Sequence, residues 1–420
     1  GKALGMTIIV TDHHEVPYKE NEAGRRYILP PADAVVDPRQ EGCEYPFKGL
    51  CGAAVAYKLV EALCEANGQD VADLDYLLEN VAIATVADVM DLTEENRILV
   101  KQGLEMLKRT SNLGLRALIQ CIGLEGKKIQ AYHIGFILAP CLNASGKLDT
   151  AKRALALLRA KTEREADMLA GDLKALNESR RDMTDRVVDE AMAKVEQTDI
   201  RGDKVLVIYL PDCHESLAGL VAGRVRENYY RPVFVLTDSE DGVKGSGRSI
   251  ESYSMYEELT GCGDLLTKFG GHPMAAGLSL DKENVEKFKR RLNDQCTLSE
   301  EELTEKVVID MELPFAAITE HFIEELEYME PFGKGNTKPV FAARGVAMQH
   351  VKIIGKNKNV AKATAIDAAG NRMEAICFHD AQEFAERCER NNGKMSITFY
   401  PGINEFRGER QIQIVITHYR

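Results

Sequence analysis

The sequence predicts an α/β protein that ends in a small β-barrel, and three observations support this prediction. Short apolar runs alternate with helical patterns over residues 1–160, and a second alternation covers residues 205–293. Five strand-like segments then follow within residues 340–419. A chain of 420 residues has room for about two to four domains, so we assign each pattern to its own part of the chain.

The composition is that of an ordinary soluble protein. Hydrophobic residues make up 45% of the chain, but no stretch approaches the ~20 uninterrupted apolar residues of a membrane span. The amino terminus lacks the charged and apolar regions of a signal peptide, so we expect a cytoplasmic location. The 10 cysteines include no Cys-x-x-Cys pair, which predicts reduced, mostly buried thiols and neither a zinc ribbon nor a disulfide framework.

Charge is distributed unevenly along the chain. The net charge of −13 argues against a protein that is basic overall and binds nucleic acid through that charge. Residues 299–330 carry 11 acidic residues and one lysine, whereas residues 340–420 carry 12 Lys/Arg against 8 Asp/Glu, a net of +4. A local basic surface in the tail is therefore compatible with an acidic chain.

The first polar motif follows an apolar run over residues 6–11, which ends at Asp12, His13 and His14. This pattern predicts a buried strand with three polar side chains at its carboxyl end, where open α/β sheets carry their chemistry. Asp and His together indicate a site for Mn²⁺ or Mg²⁺ more than a zinc site, which would be built from thiolates. A solvated turn with two histidines stays open as the alternative.

Two further segments of the first region carry polar groups. Asp88 follows the apolar run 82–87 and is either a metal-competent carboxylate or a helix or loop cap. Residues 139–147 predict a loop ahead of a helix, in which Lys147 can meet an anion, although such loops are common.

The helical pattern over residues 162–198 contains no proline and has apolar residues near heptad spacing. Such a helix would be on the order of 55 Å long, which suits a connector between domains. A coiled-coil arm is the alternative, although Arg180 interrupts its apolar seam.

The second alternating region contains three candidate anion-binding elements. Ser246 and Arg248 lie in a Gly- and Ser-rich segment whose hydroxyls and guanidinium can converge on a phosphate. Gly270, Gly271 and His272 predict a turn where backbone can approach a ligand closely. Bare turns are the alternative for both segments.

His214 is the third of these elements and directly precedes a predicted helix over residues 216–228. A histidine that only caps this helix is the alternative. The remaining elements predicted for this region are strands at 205–210, 232–236, 244–250 and 275–280, and a helix at 284–293.

The tail shows five strand patterns with a helix between the third and fourth, which is the order of an OB-fold, a barrel that often binds oligonucleotides. The predicted strands are 340–348, 359–367, 372–378, 394–406 and 410–419, and the helix is 381–390. Four lysines lie in a stretch without acidic residues: Lys352, Lys356, Lys358 and Lys362. With Phe399, Tyr400 and Phe406 they predict single-strand binding through phosphate contacts and base stacking. Alternatively, the lysines only solubilise an edge and the aromatic rings fill the barrel.

These motifs resemble those of a known family. Residues 11–14 and 85–88 resemble the third and fourth motifs of the DHH phosphoesterases. Four later segments resemble the RecJ branch of that family, including its DHH-associated domain with a Gly-Gly-His signature: 143–147, 214–219, 246–249 and 269–277. Residues 331–336, with Pro339 and Phe341, resemble the stretch by which this branch enters its OB-fold.

The resemblance runs essentially end to end and implies a domain order. It comprises a partial DHH parallel-sheet domain (1–160), a long connector helix (161–200), a DHH-associated α/β domain (201–298), an acidic connecting segment (299–339) and an OB-fold β-barrel (340–420).

The resemblance implies Mn²⁺- or Mg²⁺-dependent hydrolysis of single-stranded DNA from its 5′ end, in DNA repair and recombination. It makes His13 and Asp88 metal ligands, makes Asp12 a ligand or the group that orients His13, and places His14 at the scissile phosphate. The 5′ end and backbone would be held by Asn143, Lys147, His214, Ser246, Arg248, Gly270, Gly271 and His272. Single-stranded DNA, a single-strand-binding protein and a helicase are the implied partners, and no membrane is.

Two departures from the family pattern affect these expectations. The family's first two motifs, an Asp-x-Asp and a further Asp, have no counterpart, so we expect half of a two-metal site and no activity from this chain alone. Lys147 stands where relatives usually carry arginine, which keeps the charge but loses bidentate geometry. A DHH hydrolase of short oligonucleotides or nucleotide phosphates, and a non-catalytic single-strand-binding fragment, are the alternatives.

Overall fold

The computed structural model describes residues 1–420 except 22–23, 149–150, 356–357, 379–380, 391–392 and 407, and describes only the backbone of residues 21, 145–148 and 406. The predicted α/β fold with a carboxyl-terminal barrel is confirmed. The chain divides into two compact units. The first comprises Gly1–Asn112, Leu124–Ala139 and Val307–Arg420, and the second comprises Leu113–Gly123 and Pro140–Lys306.

The strands of the described part are β1 (Ile9–Thr11), β2 (Tyr18–Asn21), β3 (Gly24–Tyr27), β4 (Ala34–Val36), β5 (Leu206–Tyr209), β6 (Val233–Ser239), β7 (Gly242–Arg248), β8 (Leu266–His272), β9 (Ala275–Leu280), β10 (Met311–Glu312), β11 (Phe341–Ile354), β12 (Val360–Ile366), β13 (Arg372–Cys377), β14 (Lys394–Phe406) and β15 (Glu409–Tyr419).

The α-helices are α1 (Gly52–Ala66), α2 (Leu78–Ala87), α3 (Glu94–Leu107), α4 (Leu113–Cys121), α5 (Ala131–His133), α6 (Ala139–Leu148), α7 (Lys152–Leu158), α8 (Glu163–Gln197), α9 (Glu215–Tyr229), α10 (Met255–Gly261), α11 (Val285–Gln295), α12 (Glu320–Glu327) and α13 (Ala381–Arg390). A π-helical turn, Ile134–Leu138, lies between α5 and α6. In the described part of the chain, no helix is long and apolar enough to cross a membrane.

The first strand differs from its prediction. The apolar run 6–11 forms only the short strand β1, which pairs in parallel with β4, and Ile9 is 57% exposed. The expected buried strand is therefore wrong, because β4 is the only strand of the described part that pairs with β1. The core of this part of the unit lies instead between α1, α2 and α3.

A connecting segment over residues 331–336 attaches the barrel to the helical part of the first unit. The Leu92 backbone N–H donates to the Lys334 carbonyl at 2.7 Å. An added Cβ at Gly333 would lie 2.6 Å from Leu92 Cδ1, so the glycine leaves room for the Leu92 side chain. The Asn336 side-chain amide donates to the Met329 and Pro331 carbonyls and closes the turn.

The tail forms the predicted barrel. Its sheet order is β10-β11-β12-β13-β15-β14, and pairing of β11 with β14 closes it. All five predicted strands and the helix α13 between the third and fourth are present. The acidic stretch also contributes, because β10 pairs with β11 and the α12 residues Ile323 and Leu326 enter the barrel core.

The aromatic residues of β14 correct one expectation. Phe399 is fully buried in the barrel core and cannot stack on a base, so the alternative that aromatic rings fill the barrel applies to it. Tyr400 is half-buried, and the side chain of Phe406 lies outside the described residues.

The second unit contains the long helix α8, which confirms the helical pattern over residues 162–198, and a sheet of order β5-β6-β7-β9-β8. Two local predictions are wrong here. Residues 139–147 lie in α6 instead of a loop, because they continue the helical turns that begin at Ala131. Gly270, Gly271 and His272 lie in β8, and the turn comes after them. All 10 cysteines are reduced thiols and seven are buried, as predicted.

Candidate metal centre and anion-binding strands

The backbone holds Asp12 at the carboxyl end of β1. Its N–H donates to the Val36 carbonyl of β4 at 3.0 Å, which continues the strand pairing by one residue. The Asp12 carboxylate oxygen Oδ1 accepts the backbone N–H groups of His13 at 2.7 Å and His14 at 3.3 Å. The same oxygen lies 2.7 Å from His14 Nδ1. Because an ionised carboxylate only accepts, Nδ1 is the donor, and Nε2 of His14 remains available to a ligand.

His13 brings the two predicted motifs together. Its Nε2 lies 2.8 Å from Oδ2 of Asp88, and its Nδ1 lies 3.7 Å from the Asp12 carboxylate. The side chain of His13 is only 17% exposed, whereas those of Asp12 and Asp88 are about half exposed. The imidazole therefore lies between two carboxylates from distant parts of the sequence.

The amino terminus of α1 positions this contact. A Cβ added at Gly52 would lie 3.2 Å from His13 Nδ1, so glycine leaves room for the ring. The preceding residue, Cys51, places its buried Sγ 3.3 Å from Thr85 Oγ1, one helical turn before Asp88. The start of α1 thus contacts both His13 and the last turn of α2.

Asp88 is the C-cap of α2. The helix cap that the sequence offered as an alternative therefore describes its backbone correctly. The chain then turns through Val89, whose φ is 54°. The Met90 N–H donates to the Thr85 carbonyl and the Val89 N–H to the Val86 carbonyl, which is the hydrogen-bond pattern of a Schellman motif. Glycine usually occupies this left-handed position, and a β-branched residue is strained there.

Hydrogen bonds within the cluster determine its charge. The hydrogen bond from His14, followed by that from the His13 backbone, lowers the pKa of Asp12 to about 2. The hydrogen bond to Asp12 in turn raises the pKa of His14, and the charges of Asp88 and Asp37 act in the same direction. Asp12 is therefore an anion at neutral pH.

The donor set fits a divalent cation. Asp12, His13 and His14 each offer one ligand atom, and these three atoms lie within 4.8 Å of one another. Carboxylate oxygen with imidazole nitrogen suits Mn²⁺, and the carboxylates alone suit Mg²⁺. The Asp88 carboxylate adds a further oxygen at the same imidazole.

Sequence reasoning missed Asp37, which directly follows β4. Because β1 and β4 are parallel and Thr11 pairs with Val36, Asp37 occupies the same edge as Asp12. It is 5% exposed and accepts the Arg39 N–H at 2.9 Å. Its signal in the sequence was an apolar tripeptide that ends in a carboxylate, the same pattern that identified Asp12.

In the second unit, strand register aligns four of the predicted anion-binding residues. Ser246 pairs with Gly277 of β9, which pairs with Gly270 of β8. Two residues further along, Arg248 and His272 both pair with Ala275 of the strand between them.

Arg248 is a half-buried cation. A Cβ added at Gly219 of α9 would lie 2.8 Å from its Nη2, so the guanidinium fills the space that this glycine leaves. The guanidinium donates to the Gly247 carbonyl at 2.8 Å and forms no ion pair with any described residue. Burial lowers its pKa, as does the nearby charge of Arg226. Such a group favours a bound anion.

The two glycines of β8 differ in their surroundings. Gly271 has a φ of 151°, and a Cβ there would lie 2.4 Å from the Ala275 carbonyl oxygen, so the backbone requires glycine. A Cβ at Gly270 would meet open space. Gly270 and Ser246 line a cavity of about 540 Å³ together with Ser216, Lys244 and Lys268.

His214 caps α9, which is the alternative role that the sequence left open. Its Nδ1 accepts the Ser216 N–H at 3.3 Å and lies 2.7 Å from Ser216 Oγ. Asn143 is exposed on α6, and the side chain of Lys147 lies outside the described residues. No hydrogen bond or ion pair among the described residues joins Asn143 or His214 to Arg248 or His272.

The four predicted lysines of the barrel are not equivalent. Lys352 of β11 and Lys362 of β12 are register partners, and Lys362 forms an ion pair with Glu374 of β13. Lys358 lies between the two strands with a φ of 51°, and Lys356 lies outside the described residues.

Comparison with known protein families identifies two domains of this chain. Residues 202–298 match the family model of the DHHA1 domain, and residues 309–418 match that of the RecJ OB domain. The chain is 37% identical over 420 residues to the single-stranded-DNA-specific exonuclease RecJ of Bacillus subtilis, covering 99% of this chain and 51% of that protein. It is 33% identical over 437 residues to the enzyme of the same name from Salmonella typhimurium, covering 99% of this chain and 73% of that protein.

A solved structure has the same fold. The crystal structure of RecJ in complex with Mn²⁺ from Thermus thermophilus superposes with a TM-score of 0.79 at 27% identity. The superposition covers 99% of this chain and 58% of that one. The chain thus spans about half the length of the Bacillus relative and somewhat more of the others.

Proposed function

Because this chain belongs to the family of RecJ single-stranded-DNA-specific exonucleases, we propose that it acts in metal-dependent hydrolysis of single-stranded DNA from the 5′ end. The observation that carries the proposal is the contact of His13 with Asp88, which unites two motifs from distant parts of the sequence. The expected domain bounds, including a connector helix and an acidic segment before the barrel, are part of the same proposal.

His13 and Asp88 hold a Mn²⁺ or Mg²⁺ ion in this proposal, and Asp12 is a further ligand or orients His13. When bound, such an ion supplies Lewis-acid stabilisation of the charge on the reacting phosphate oxygens. His14 faces the scissile phosphate, since its ring is 76% exposed and Asp12 engages only its Nδ1. Asp37 helps to hold the strand edge on which Asp12 lies.

Arg248 and His272, aligned across β9, are proposed to bind the 5′ phosphate, with Ser246 and Gly270 in the neighbouring row. The support for this role is a half-buried guanidinium that forms no ion pair with any described carboxylate. Asn143, Lys147, His214 and Gly271 remain proposed contributors to strand binding. The barrel lysines would add phosphate contacts without reading sequence.

Single-stranded DNA is the proposed substrate because the relatives are named for it. A single-strand-binding protein and a helicase are proposed as partners on the family resemblance alone. Repair and recombination are the processes in which such an activity is used.

The proposal is tested with 5′-labelled single strands and Mn²⁺, using this chain and the longest open reading frame that contains it. We expect the longer protein to release labelled mononucleotide, and we expect His13→Ala to abolish the release. His321→Ala is the matched control, because His321 is exposed on α12 and contacts only Glu325 among the ion pairs of the described part. Release of label only after extensive degradation would indicate attack from the 3′ end and would contradict the proposal.

A second comparison separates the alternatives. Faster hydrolysis of a di- or trinucleotide than of a long strand would favour a hydrolase of short oligonucleotides. Binding of the long strand without hydrolysis by the longer protein would favour a non-catalytic binding module.

A further inference from the structure

A groove beside the candidate metal centre is not used by the proposed chemistry. We call it the aromatic groove: a cavity of about 540 Å³ in the first unit, lined by three segments within residues 86–92, 131–136 and 332–338. The first segment contains the end of α2, and the second contains α5 and the start of the π-helical turn. The third is the segment that connects to the barrel.

Two aromatic rings form an exposed platform in this groove. Tyr132 and Phe136 lie one helical turn apart, with ring centroids 4.9 Å apart and ring planes at 27°. They are 58% and 73% exposed, so neither ring is needed to fill the core. The rings are stacked on each other, and an exposed outer ring face of such a pair is the kind of surface on which an unstacked nucleobase binds.

A cation also lines the groove. Lys338 Nζ lies 4.8 Å from the centroid of Tyr400 and 6.0 Å from that of Phe332. No carboxylate of the described residues pairs with it, whereas the neighbouring Lys334 pairs with Asp91 at 3.1 Å. The Lys338 ammonium is therefore held by aromatic faces and is free to meet an anion.

The groove and the candidate metal centre both use the end of α2. Ala87 and Val89 both line it, and Asp88 between them contacts His13. Val89 is 62% exposed and is held at a positive φ in which a β-branched residue is strained. Strained backbone of this kind is held by the surrounding structure and clusters at ligand-binding sites.

We propose that the aromatic groove binds one unstacked nucleotide of the single strand, adjacent to the phosphate at the metal centre. Its base stacks on the Tyr132–Phe136 platform, and its phosphate meets Lys338. The proposal rests on the proposed function, since the strand must also reach His13 and Asp88. The cation beside the exposed aromatic rings, and the position of Asp88 between two groove residues, favour a nucleotide over an apolar peptide.

The test measures binding of this chain to fluorescein-labelled oligothymidylate and to an abasic strand of the same length, without added metal. We expect Tyr132→Ala and Phe136→Ala to weaken oligothymidylate binding about fivefold or more. Binding of the abasic strand stays unchanged, which also shows that the variants are folded. Tyr76→Ala is the matched control, because Tyr76 is equally exposed (57%) on another helical turn of the same unit.

Lys338→Gln tests the phosphate contact. We expect it to reduce the slope of log affinity against log salt by about 0.7 for both strands, the value for one phosphate of a single strand. Lys101→Gln, an exposed lysine on α3, is the control and leaves the slope unchanged.

The outcomes separate this inference from the proposed function. If the aromatic variants bind both strands as the unmodified chain does, the groove has another occupant and only the inference is overturned. Equal weakening of both strands would also overturn it, because a stacking role affects only the strand with bases. If the unmodified chain binds neither strand at low salt, the inference is overturned, whereas the proposed function is decided by the nuclease assay of the longer protein.

Discussion

His13 Nε2 and Asp88 Oδ2 lie 2.8 Å apart, although 75 residues separate them in the sequence. The contact depends on the start of α1, where Gly52 leaves room for the ring and Cys51 contacts Thr85. Two short motifs, neither of them decisive by itself, thereby form one donor cluster.

The first prediction concerns metal binding by this cluster. Asp88→Asn and His13→Ala should each weaken Mn²⁺ binding by this chain about tenfold or more, because each removes a ligand. Calorimetric titration with Mn²⁺ measures the change. Asp75→Asn, an exposed carboxylate in the turn before α2, is the control. An unchanged Mn²⁺ affinity in Asp88→Asn would remove Asp88 from the site.

The second prediction concerns the strained backbone at Val89. Val89→Gly should raise the free energy of unfolding by about 1 kcal/mol, because glycine adopts a positive φ without steric cost. Val89→Ala keeps a Cβ and should change stability little. Denaturant titration of both variants measures the difference. A loss of stability in Val89→Gly would mean that the methyl groups of Val89 contribute more than the strain costs.

The third prediction concerns pH and His133. Burial lowers the pKa of His133 from its ordinary value of 6.5, and the charge of Lys127 adds to the effect. Its Nδ1 accepts the Gln130 N–H at 3.0 Å, which a protonated ring cannot do. Because the folded pKa is depressed, the unfolded chain takes up the proton first as pH falls below 6.5. The contribution of His133 to stability should therefore be constant above pH 6.5. It should decrease as the pH falls from 6.5 to the folded pKa.

The matched variant is His133→Gln, whose side-chain oxygen can accept the same N–H without titrating. Thermal unfolding at several pH values should show a smaller decrease for the variant between neutral and mildly acidic pH. Parallel curves for both proteins would assign the pH dependence to other groups.

The fourth prediction concerns Arg248. Arg248→Ala should weaken binding of a 5′-phosphorylated strand by about 1.5–3 kcal/mol, the range for hydrogen bonds to a charged group. Arg248→Lys should restore only part of this, because a lysine cannot bind two oxygens in parallel. Competition with the 5′-hydroxyl strand isolates the phosphate contribution. Equal affinities for the two strands in all three proteins would make Arg248 structural.

Two glycines of α9 provide an independent control for that site. A methyl group at Gly219 would lie 2.8 Å from the Arg248 guanidinium, whereas nothing lies within 4 Å of one at Gly223. Gly219→Ala should therefore weaken binding of the 5′-phosphorylated strand, and Gly223→Ala should not. Both substitutions affect helix propensity alike, so the difference reports the position of the guanidinium.

The fifth prediction separates the lysines of the barrel. Lys352→Gln and Lys358→Gln should each reduce the salt dependence of single-strand binding, by about 0.7 in the log–log slope for each phosphate lost. Lys362→Gln should have the smallest effect, because Glu374 already pairs with Lys362. Equal effects of all three would mean that DNA displaces Glu374 from this ion pair.

Local patterns were sufficient for much of the fold. The helix Ala381–Arg390 has the predicted bounds, and the strands of the barrel and the helix α8 lie where they were expected. Such elements bury one face against a single core, so the spacing of their apolar residues determines them. The DHH motif also identified its own residues, because Asp12, His13 and His14 are consecutive.

Tertiary structure decided what depends on packing between distant residues. The pairing of His13 with Asp88 and the place of Asp37 at the same strand edge both arise between separate segments. Phe399 proved to be a core residue, because the surrounding strands of the barrel enclose it. Gly270 and Gly271 proved to lie in a strand, because they pair with β9. Apolar periodicity reports which face of an element is buried, but which partners meet there depends on long-range packing that a single chain segment does not contain.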